Sequence, residues 1–359
     1  MPNLRPTPTL IIPGTNKLTS NTQIIFRQRP DGAVTNACFC IEQGPMPVLP
    51  KGGCITRNLY LSCDPYMRGR MGTGKNYTGG FALNQPIPAR VVAEVIDSDS
   101  AGVQPGDYVW GFLNWEEYTA VENPQTLFPV DKSLGPLSHV ISVRGMPGLT
   151  AEIGMLELGQ PKNGECVFVS AASGAVGSIA GQLAKLAGAR VIGSAGSDRK
   201  VAHLIEQLGF DAAFNYKNEA AATALPRLSP QGIDVYFDNV GGPTLDAALA
   251  NINPFARIPV CGQISGYNVS SATSKAPGQD NSISRLAAMV SARATMTGFV
   301  IYDHMHKFES FLPRMAKRLR DGSLTYFEDM VDGIENTPQA FIGMMAGDNI
   351  GKRLVRIAS

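Results

Sequence analysis

Ala172, Gly174 and Gly177 hold the spacing of a G-x-G-x-x-G turn, with alanine in the first place. That spacing suits a dinucleotide pyrophosphate. Gly174 has no side chain to keep the backbone away from phosphates, and Gly177 lets the next helix pack close to its strand. The unpaired amides in the first turn of that helix, with Ala175 and Val176 leading into it, would face the phosphates. Glycine turns also occur without ligands, so the flanking pattern matters. Residues 166–170 are short, apolar and β-branched, like a strand buried on both faces of a parallel sheet; a helix follows through Ala187, then a second strand over 190–194.

The end of that second strand bears on the choice of nucleotide. An NAD site places an acidic residue about 20 residues past the glycines, to accept the ribose hydroxyls. Here the strand runs out into Gly193-Ser194-Ala195-Gly196. Asp198 could take the ribose, or could sit in the first helical turn behind an N-capping Ser197, offsetting the helix dipole. The second reading is preferred, because Arg199 and Lys200 put positive charge where a 2′-phosphate would lie. The expected cofactor is NADPH.

Metal chemistry finds no ligand pattern. Cys38 and Cys40 are one residue apart, Cys54, Cys63, Cys166 and Cys261 are scattered, and no C-x-x-C pair is present. His139, His203, His304 and His306 add no motif; His203 falls on a helix and the others in loops. With no secretory signal at the start of the sequence, the cysteines read as reduced thiols of a cytoplasmic protein. The glycosylation sequons at Asn76 and Asn268 then read as chance matches. A further polar stretch, LSCDPYMRGRM over 61–71, runs from a strand into a turn. Tyr66 within it is either a core residue or part of a pocket, and spacing alone leaves the two about even.

These groups must be positioned by two kinds of structure. Residues up to about Lys132 alternate short β segments (24–27, 37–41, 55–62, 89–96, 108–112, 117–121) with proline and glycine turns, which suggests a small, partly open barrel. After Pro136 strands and helices alternate. Strands at 166–170, 190–194, 212–215, 233–237, 257–261 and 296–301, with helices between them, make a doubly wound, six-stranded parallel sheet of α/β class. A helix over 308–320 and a last strand at 353–357 follow, and the tail is expected to return to the barrel. The length of 359 residues fits two domains, and 44% hydrophobic content is ample for two cores. A net charge of +1 and no apolar run of transmembrane length give no reason to expect nucleic acid or membrane as partner.

Ligands of such sheets sit beyond the carboxyl ends of the strands. The turns there are chemically dense: Tyr216-Lys217, Asp238-Asn239-Val240-Gly241-Gly242, Cys261-Gly262-Gln263-Ile264-Ser265-Gly266-Tyr267-Asn268, and Phe299-Val300-Ile301. Each alone is an ordinary turn, and their shared edge is the stronger argument.

With LSCDPYMRGRM, WEEY, GMPGLTA, AASGAVGS, GSDRK, FNYK, YFDNVGG, CGQISGYN and GDNIGK in order from Leu61 to Lys352, the chain resembles the zinc-independent medium-chain dehydrogenases/reductases. Within that superfamily it resembles the prostaglandin, alkenal double-bond and curcumin reductases. The resemblance implies a GroES-like barrel domain over 1–132 and 312–359, a Rossmann domain over 133–311, and a homodimer. It implies NADPH-dependent reduction of a carbon–carbon double bond conjugated to a carbonyl. On this resemblance Gly174 to Gly177 would hold the pyrophosphate, and Lys200 with Tyr216 the 2′-phosphate. Asn239, Cys261 to Tyr267, Phe299, Val300, Ile301 and Asn349 would line the rest of the cofactor. Tyr66 matches a substrate-pocket tyrosine. Phe81 stands where some plant members have a second one, which implies a greasier pocket.

Hydride added to the β-carbon leaves negative charge on the carbonyl oxygen, which a positioned donor should stabilise. Tyr267 is the candidate, acting directly or by orienting the nicotinamide-ribose hydroxyl; a phenol with a pKa of about 10 donates a hydrogen bond at neutral pH. The α-carbon proton comes from Tyr267 or from water. Two other readings stand beside this one: a zinc-free NADPH quinone reductase, and an NADPH-binding protein with a structural or regulatory role.

Overall fold

The computed structural model describes residues 20–73, 79–268 and 285–358; the sequon at Asn76 lies outside them. Strands of the first half are β1 (Asn21–Phe26), β2 (Phe39–Gly44), β3 (Cys54–Ser62), β4 (Pro88–Ser98), β5 (Tyr108–Asn114), β6 (Tyr118–Val121) and β7 (Phe128–Pro129). Those of the second half are β8 (Cys166–Val169), β9 (Arg190–Ala195), β10 (Ala212–Asn215), β11 (Ile233–Phe237), β12 (Ile252–Val260), β13 (Thr295–Gly298), β14 (Glu328–Asp332) and β15 (Lys352–Arg356). Nine α-helices are assigned among the described residues: α1 (Met67–Met71), α2 (Met146–Glu152), α3 (Gly177–Leu186), α4 (Asp198–Glu206), α5 (Ala221–Leu228), α6 (Gly242–Leu249), α7 (Leu286–Ala292), α8 (Phe308–Arg320) and α9 (Thr337–Ala346).

The parallel sheet has six strands in the order β10-β9-β8-β11-β12-β13, which reverses direction beside β8. Its strands are buried on both faces because successive side chains point to opposite sides. In β8, Val167 and Val169 pack with Ile179 and Leu183 of α3 and Phe311 and Met315 of α8. Phe168 between them packs the other way, stacked 4.9 Å from Tyr236, among α5 and α6 residues Leu225 and Leu245. The crevice at the switch point therefore opens beside the turn after β8, as the glycine spacing predicts.

The second large sheet runs β14-β15-β3-β4-β5-β7, with β6 paired to β3. Along β4, Ala89, Val91 and Ala93 face a core that includes Phe26, Trp115 and Phe341. Val92 faces the other way, with Trp110, Val140, Ile141 and Leu354, so the outer face of this sheet is covered by the segment Leu137–Ile141. The tail does return to this sheet: β15 pairs antiparallel with β3 and parallel with β14.

Several local expectations are corrected. Residues 36–38 form a 3-10 turn ahead of β2 rather than part of a strand over 37–41. The last Rossmann strand stops at Gly298, so Phe299, Val300 and Ile301 lie in the following turn. His139, His304 and His306 sit in 3-10 turns, not open loops. After α2 the chain continues as a π-helix over Ile153–Gly159. There Gly154 meets the sheet so closely that a Cβ would lie 2.6 Å from the Phe237 ring and 2.8 Å from that of Phe299. The boundary expected between 311 and 312 falls inside α8, one continuous helix whose Phe311 and Met315 belong to the core of the parallel sheet.

Candidate functional site

The turn between β8 and α3 is built to leave room. Ala172, in the place of the first glycine, is fully buried and its amide donates to Ser194 O at 2.9 Å. A Cβ at Gly177 would stand 2.5 Å from Ala171 O and 2.9 Å from Ala172 Cα, which accounts for glycine there. A Cβ at Gly174 would meet a single atom, Ala171 O at 3.2 Å, closer than an ordinary contact. Ala171 itself is left-handed at φ 47°, a conformation that costs an L-residue about 1–2 kcal/mol. In the first turn of α3 the Ser178 hydroxyl is buried with no hydrogen-bond partner. A buried hydroxyl so left suits a phosphate oxygen at a helix N-terminus. Gly177→Ala is expected to lower stability by about 1–3 kcal/mol through overpacking, and to weaken NADPH binding by displacing these amides. Urea unfolding and a fluorescence titration would read the two effects.

At the end of β9 the local structure matches the capping reading of Ser197 and Asp198. Ser197 caps α4 by accepting from Lys200 N at 3.4 Å, and Asp198 lies in the first turn. The Asp198 carboxylate is held by Asn215 and Asn218, at 2.8 and 3.1 Å. The Tyr216 hydroxyl hangs over Gly196, 2.8 Å from where a Cβ would be. Lys200 is buried and its Nζ donates to Gly347 O at 2.5 Å; burial lowers its pKa, with Asp348 acting in the opposite sense. The tail is tied in a second time, Gly351 N donating to Ser173 O at 2.8 Å beside Gly174.

At the ends of β11 and β12 one buried carboxylate organises the loops. Asp238 Oδ1 accepts from Tyr236 Oη at 2.6 Å and from the amides of Val240 and Gly241, both at 2.9 Å. Its carbonyl accepts from the Cys261 and Gly262 amides. Asn239 is fixed through Nδ2 to Ser170 O at 2.7 Å, and Ser265 Oγ donates to Val240 O at 2.6 Å. The run Gln263, Ile264, Ser265, Gly266 thus folds back over the β11 turn and delivers Tyr267 near Gly262, where an added Cβ would be 3.5 Å from the phenol oxygen. Burial raises the Tyr267 pKa, against an opposing hydrogen bond from the Gln263 backbone, so the phenol keeps its proton at neutral pH. Burial also lifts the Cys261 thiol to about 12. Asn349 Nδ2 donates to Gly351 O at 2.7 Å.

The barrel contributes the turn after β3. Tyr66 leads into α1 and packs against the barrel core, while its hydroxyl is buried with no hydrogen-bond partner. Asp64 beside it accepts from Ser62 Oγ at 2.6 Å and from the buried Lys352 Nζ at 2.7 Å; Lys352 also donates to Cys63 O at 2.5 Å. Arg68 reaches across to the Tyr267 loop, its Nε donating to Asn268 Oδ1 at 3.2 Å. Phe81 lies within the barrel core at 2% exposure, edge-on to Phe26 and under the Arg70 guanidinium at 4.3 Å. Among the described residues no group of three His, Cys, Asp or Glu could hold a metal ion.

A family model described as the N-terminal domain of oxidoreductase matches residues 22–130, and one described as zinc-binding dehydrogenase matches 175–317. The 2-alkenal reductase (NADP(+)-dependent) of Nicotiana tabacum is 42% identical over 344 residues, covering 94% of this chain and 98% of that protein. The NADPH-dependent curcumin reductase of Escherichia coli is 38% identical over 339 residues, covering 94% and 97%. The chain belongs to the zinc-independent medium-chain dehydrogenase/reductase family. CurA from Vibrio vulnificus, solved in complex with NADPH, superposes on this reductase with a TM-score of 0.88 at 39% identity, over 94% of this chain and 99% of that one.

Sequence reasoning on this reductase missed Ser178, Asp238 as a loop organiser, and the Lys352–Asp64 pair. Ser178 had a signal, since it follows the last fingerprint glycine directly. The pair had none, because its members stand 288 residues apart.

Proposed function

We propose that this chain reduces the carbon–carbon double bond of α,β-unsaturated aldehydes and ketones with NADPH. The reading is supported above all by one arrangement: a phosphate-ready turn at the sheet's switch point, with Tyr267 at the same sheet edge and Tyr66 beyond it, joined through Arg68 and Asn268. The named activities of its relatives, 2-alkenal and curcumin reduction among them, agree with it.

On this reading Gly174, Ala175, Val176 and Gly177 hold the pyrophosphate with Ser178, and Lys200 and Tyr216 meet the 2′-phosphate. Asn239, the loop from Cys261 to Tyr267, Phe299, Val300, Ile301 and Asn349 line the remainder. Bound NADPH supplies the hydride for the β-carbon. Tyr267 keeps its proton and donates to the carbonyl oxygen as negative charge develops there. Tyr66 offers a second buried donor on the substrate side, and Phe81 backs that wall from the core. We place the domain boundary after Phe327, because Leu324, Tyr326 and Phe327 still pack with the core of the parallel sheet, with residues 328–358 in the barrel domain, and propose a cytoplasmic homodimer.

The test is NADPH oxidation at about 340 nm with a medium-chain 2-alkenal, with NADH and a simple quinone in parallel. NADPH-dependent conversion to the saturated aldehyde is the expected result. Faster quinone turnover would replace this reading with a quinone reductase, and NADPH binding without oxidation of any electrophile would leave a binding protein.

A further inference from the structure

Arg90 is an unusual arginine. It lies on β4 with only 6% of its surface exposed, and a guanidinium cannot shed its charge to suit such a place. Buried arginines are ordinarily paired or saturated with acceptors. Arg144, also buried, gives its Nη atoms to the carbonyls of Asp131, Gly135 and Pro136 and keeps an unpartnered Nε. Arg90 donates Nη2 to the Tyr302 hydroxyl at 3.2 Å, but among the described residues no carboxylate forms an ion pair with it. Asp64, close enough for its acidity to respond to Arg90, is already held by Lys352 and Ser62.

Its surroundings are aromatic. Arg90 faces Phe112 across the strand pair, with the guanidinium 4.7 Å above that ring and 5.9 Å from the ring of Tyr302. Both aromatic residues are more than a third exposed, at 45% and 38%, so the rings that cover Arg90 face solvent on one side. Tyr302 follows directly on Phe299-Val300-Ile301, at the cofactor edge of the parallel sheet. Tyr66, whose buried hydroxyl has no partner, lies within electrostatic reach of both Arg90 and Tyr302. A permanent cation thus lies against two aromatic rings, with an unused phenol donor in its electrostatic reach, where a hydrogen bond to an anion is less screened than in water.

We infer that Arg90, with Tyr66 beside it, is a specificity-determining anion subsite, and that the electrophile selected carries a carboxylate remote from its reacting double bond. The inference rests on the double-bond reductase reading for its substrate. A carboxylate conjugated to the alkene would be a poor hydride acceptor, so the anion and the enal or enone are separate groups of one molecule. The planar fork of arginine matches a carboxylate through two parallel hydrogen bonds, which a lysine cannot reproduce.

The experiment compares 2-nonenal with 9-oxonon-7-enoic acid, an enal of equal length ending in a carboxylate. The wild-type protein should favour the acid at least ten-fold in kcat/KM, chiefly through KM. R90M should abolish that ratio and R90K restore only part of it. Equal kcat/KM for the two compounds in the wild type, or an R90M effect equal on both, would overturn the inference, as would a loss of NADPH affinity in R90M as large as the loss for the acid. Calorimetry of NADP⁺-loaded protein with nonanoate and nonan-1-ol separates this from the parent reading. Tighter nonanoate binding that R90M removes supports the subsite even if neither enal is reduced, in which case the reductase reading alone falls. Indifference of the wild type to the carboxylate sinks the subsite whatever the enals do.

Discussion

Lys352→Met should destabilise the protein by about 3–5 kcal/mol, the usual cost of breaking a buried ion pair from one side. Lys352 is 1% exposed, and its Nζ serves both Asp64 and the carbonyl of Cys63. Removing it leaves a carboxylate and a carbonyl desolvated at the junction of β15 and β3. A urea titration followed by circular dichroism would measure the loss. The double variant Asp64→Leu with Lys352→Met should recover most of it, since replacing a buried pair by apolar groups is often neutral. A single-variant cost below about 1 kcal/mol, typical of surface pairs, would mean that the pair does not hold the tail. The same pair sets an acid limit. Burial alone would raise the Asp64 pKa, but the charge and hydrogen bond of Lys352, with Ser62, bring it below the ordinary carboxylate value. A depressed folded pKa means that the contribution is whole above the unfolded value of about 3.9 and is lost as pH falls through the lower folded value. Asp211, whose carboxylate binds Lys185 and the Val191 amide, and Glu165, bound to Arg257, shift in the same direction. Stability should therefore fall steeply only in strong acid, and Lys352→Met should fall earlier.

Tyr267→Phe should lower kcat for a 2-alkenal by about a hundred-fold or more, the usual effect of deleting one donor to a developing oxyanion. Burial keeps the phenol protonated and its loop is held by backbone bonds to Asn239 and Val240. The substitution removes a hydroxyl without disturbing those bonds, so NADPH affinity should change little. Stopped-flow measurement of NADPH oxidation with a separate fluorescence titration would show both. Unchanged turnover removes Tyr267 from the chemistry, and a matching loss of NADPH affinity makes it a cofactor-packing residue.

Much of the scaffold could be read from local pattern. β10, β11 and α8 fall on the residues that alternation and periodicity indicate, and the cap at Ser197 was visible as a serine before a polar first turn. The misses share a cause. β14 (EDMVD) is an acidic edge strand with little hydrophobic signal, and it exists because β15 offers it a partner. The π-helix over Ile153–Gly159 sets Gly154 against the rings of Phe237 and Phe299, residues distant in the chain that no local window contains.

By itself the sequence determined the two kinds of sheet, the glycine turn, NADPH as the cofactor, and where the strand-end loops fall. All of these depend on spacing within about one structural unit, where backbone sterics and side-chain periodicity act directly. The tertiary structure alone decided what those loops do to one another. Gly351 crosses the phosphate turn, Lys352 locks onto Asp64, Arg68 reaches Asn268, and Arg90 comes up beside Tyr302 without a carboxylate of its own among the described residues. The last three contacts join residues 200 or more positions apart. No local propensity encodes such a meeting, because it depends on how two separately folded layers pack and on which charges are left without partners once they do.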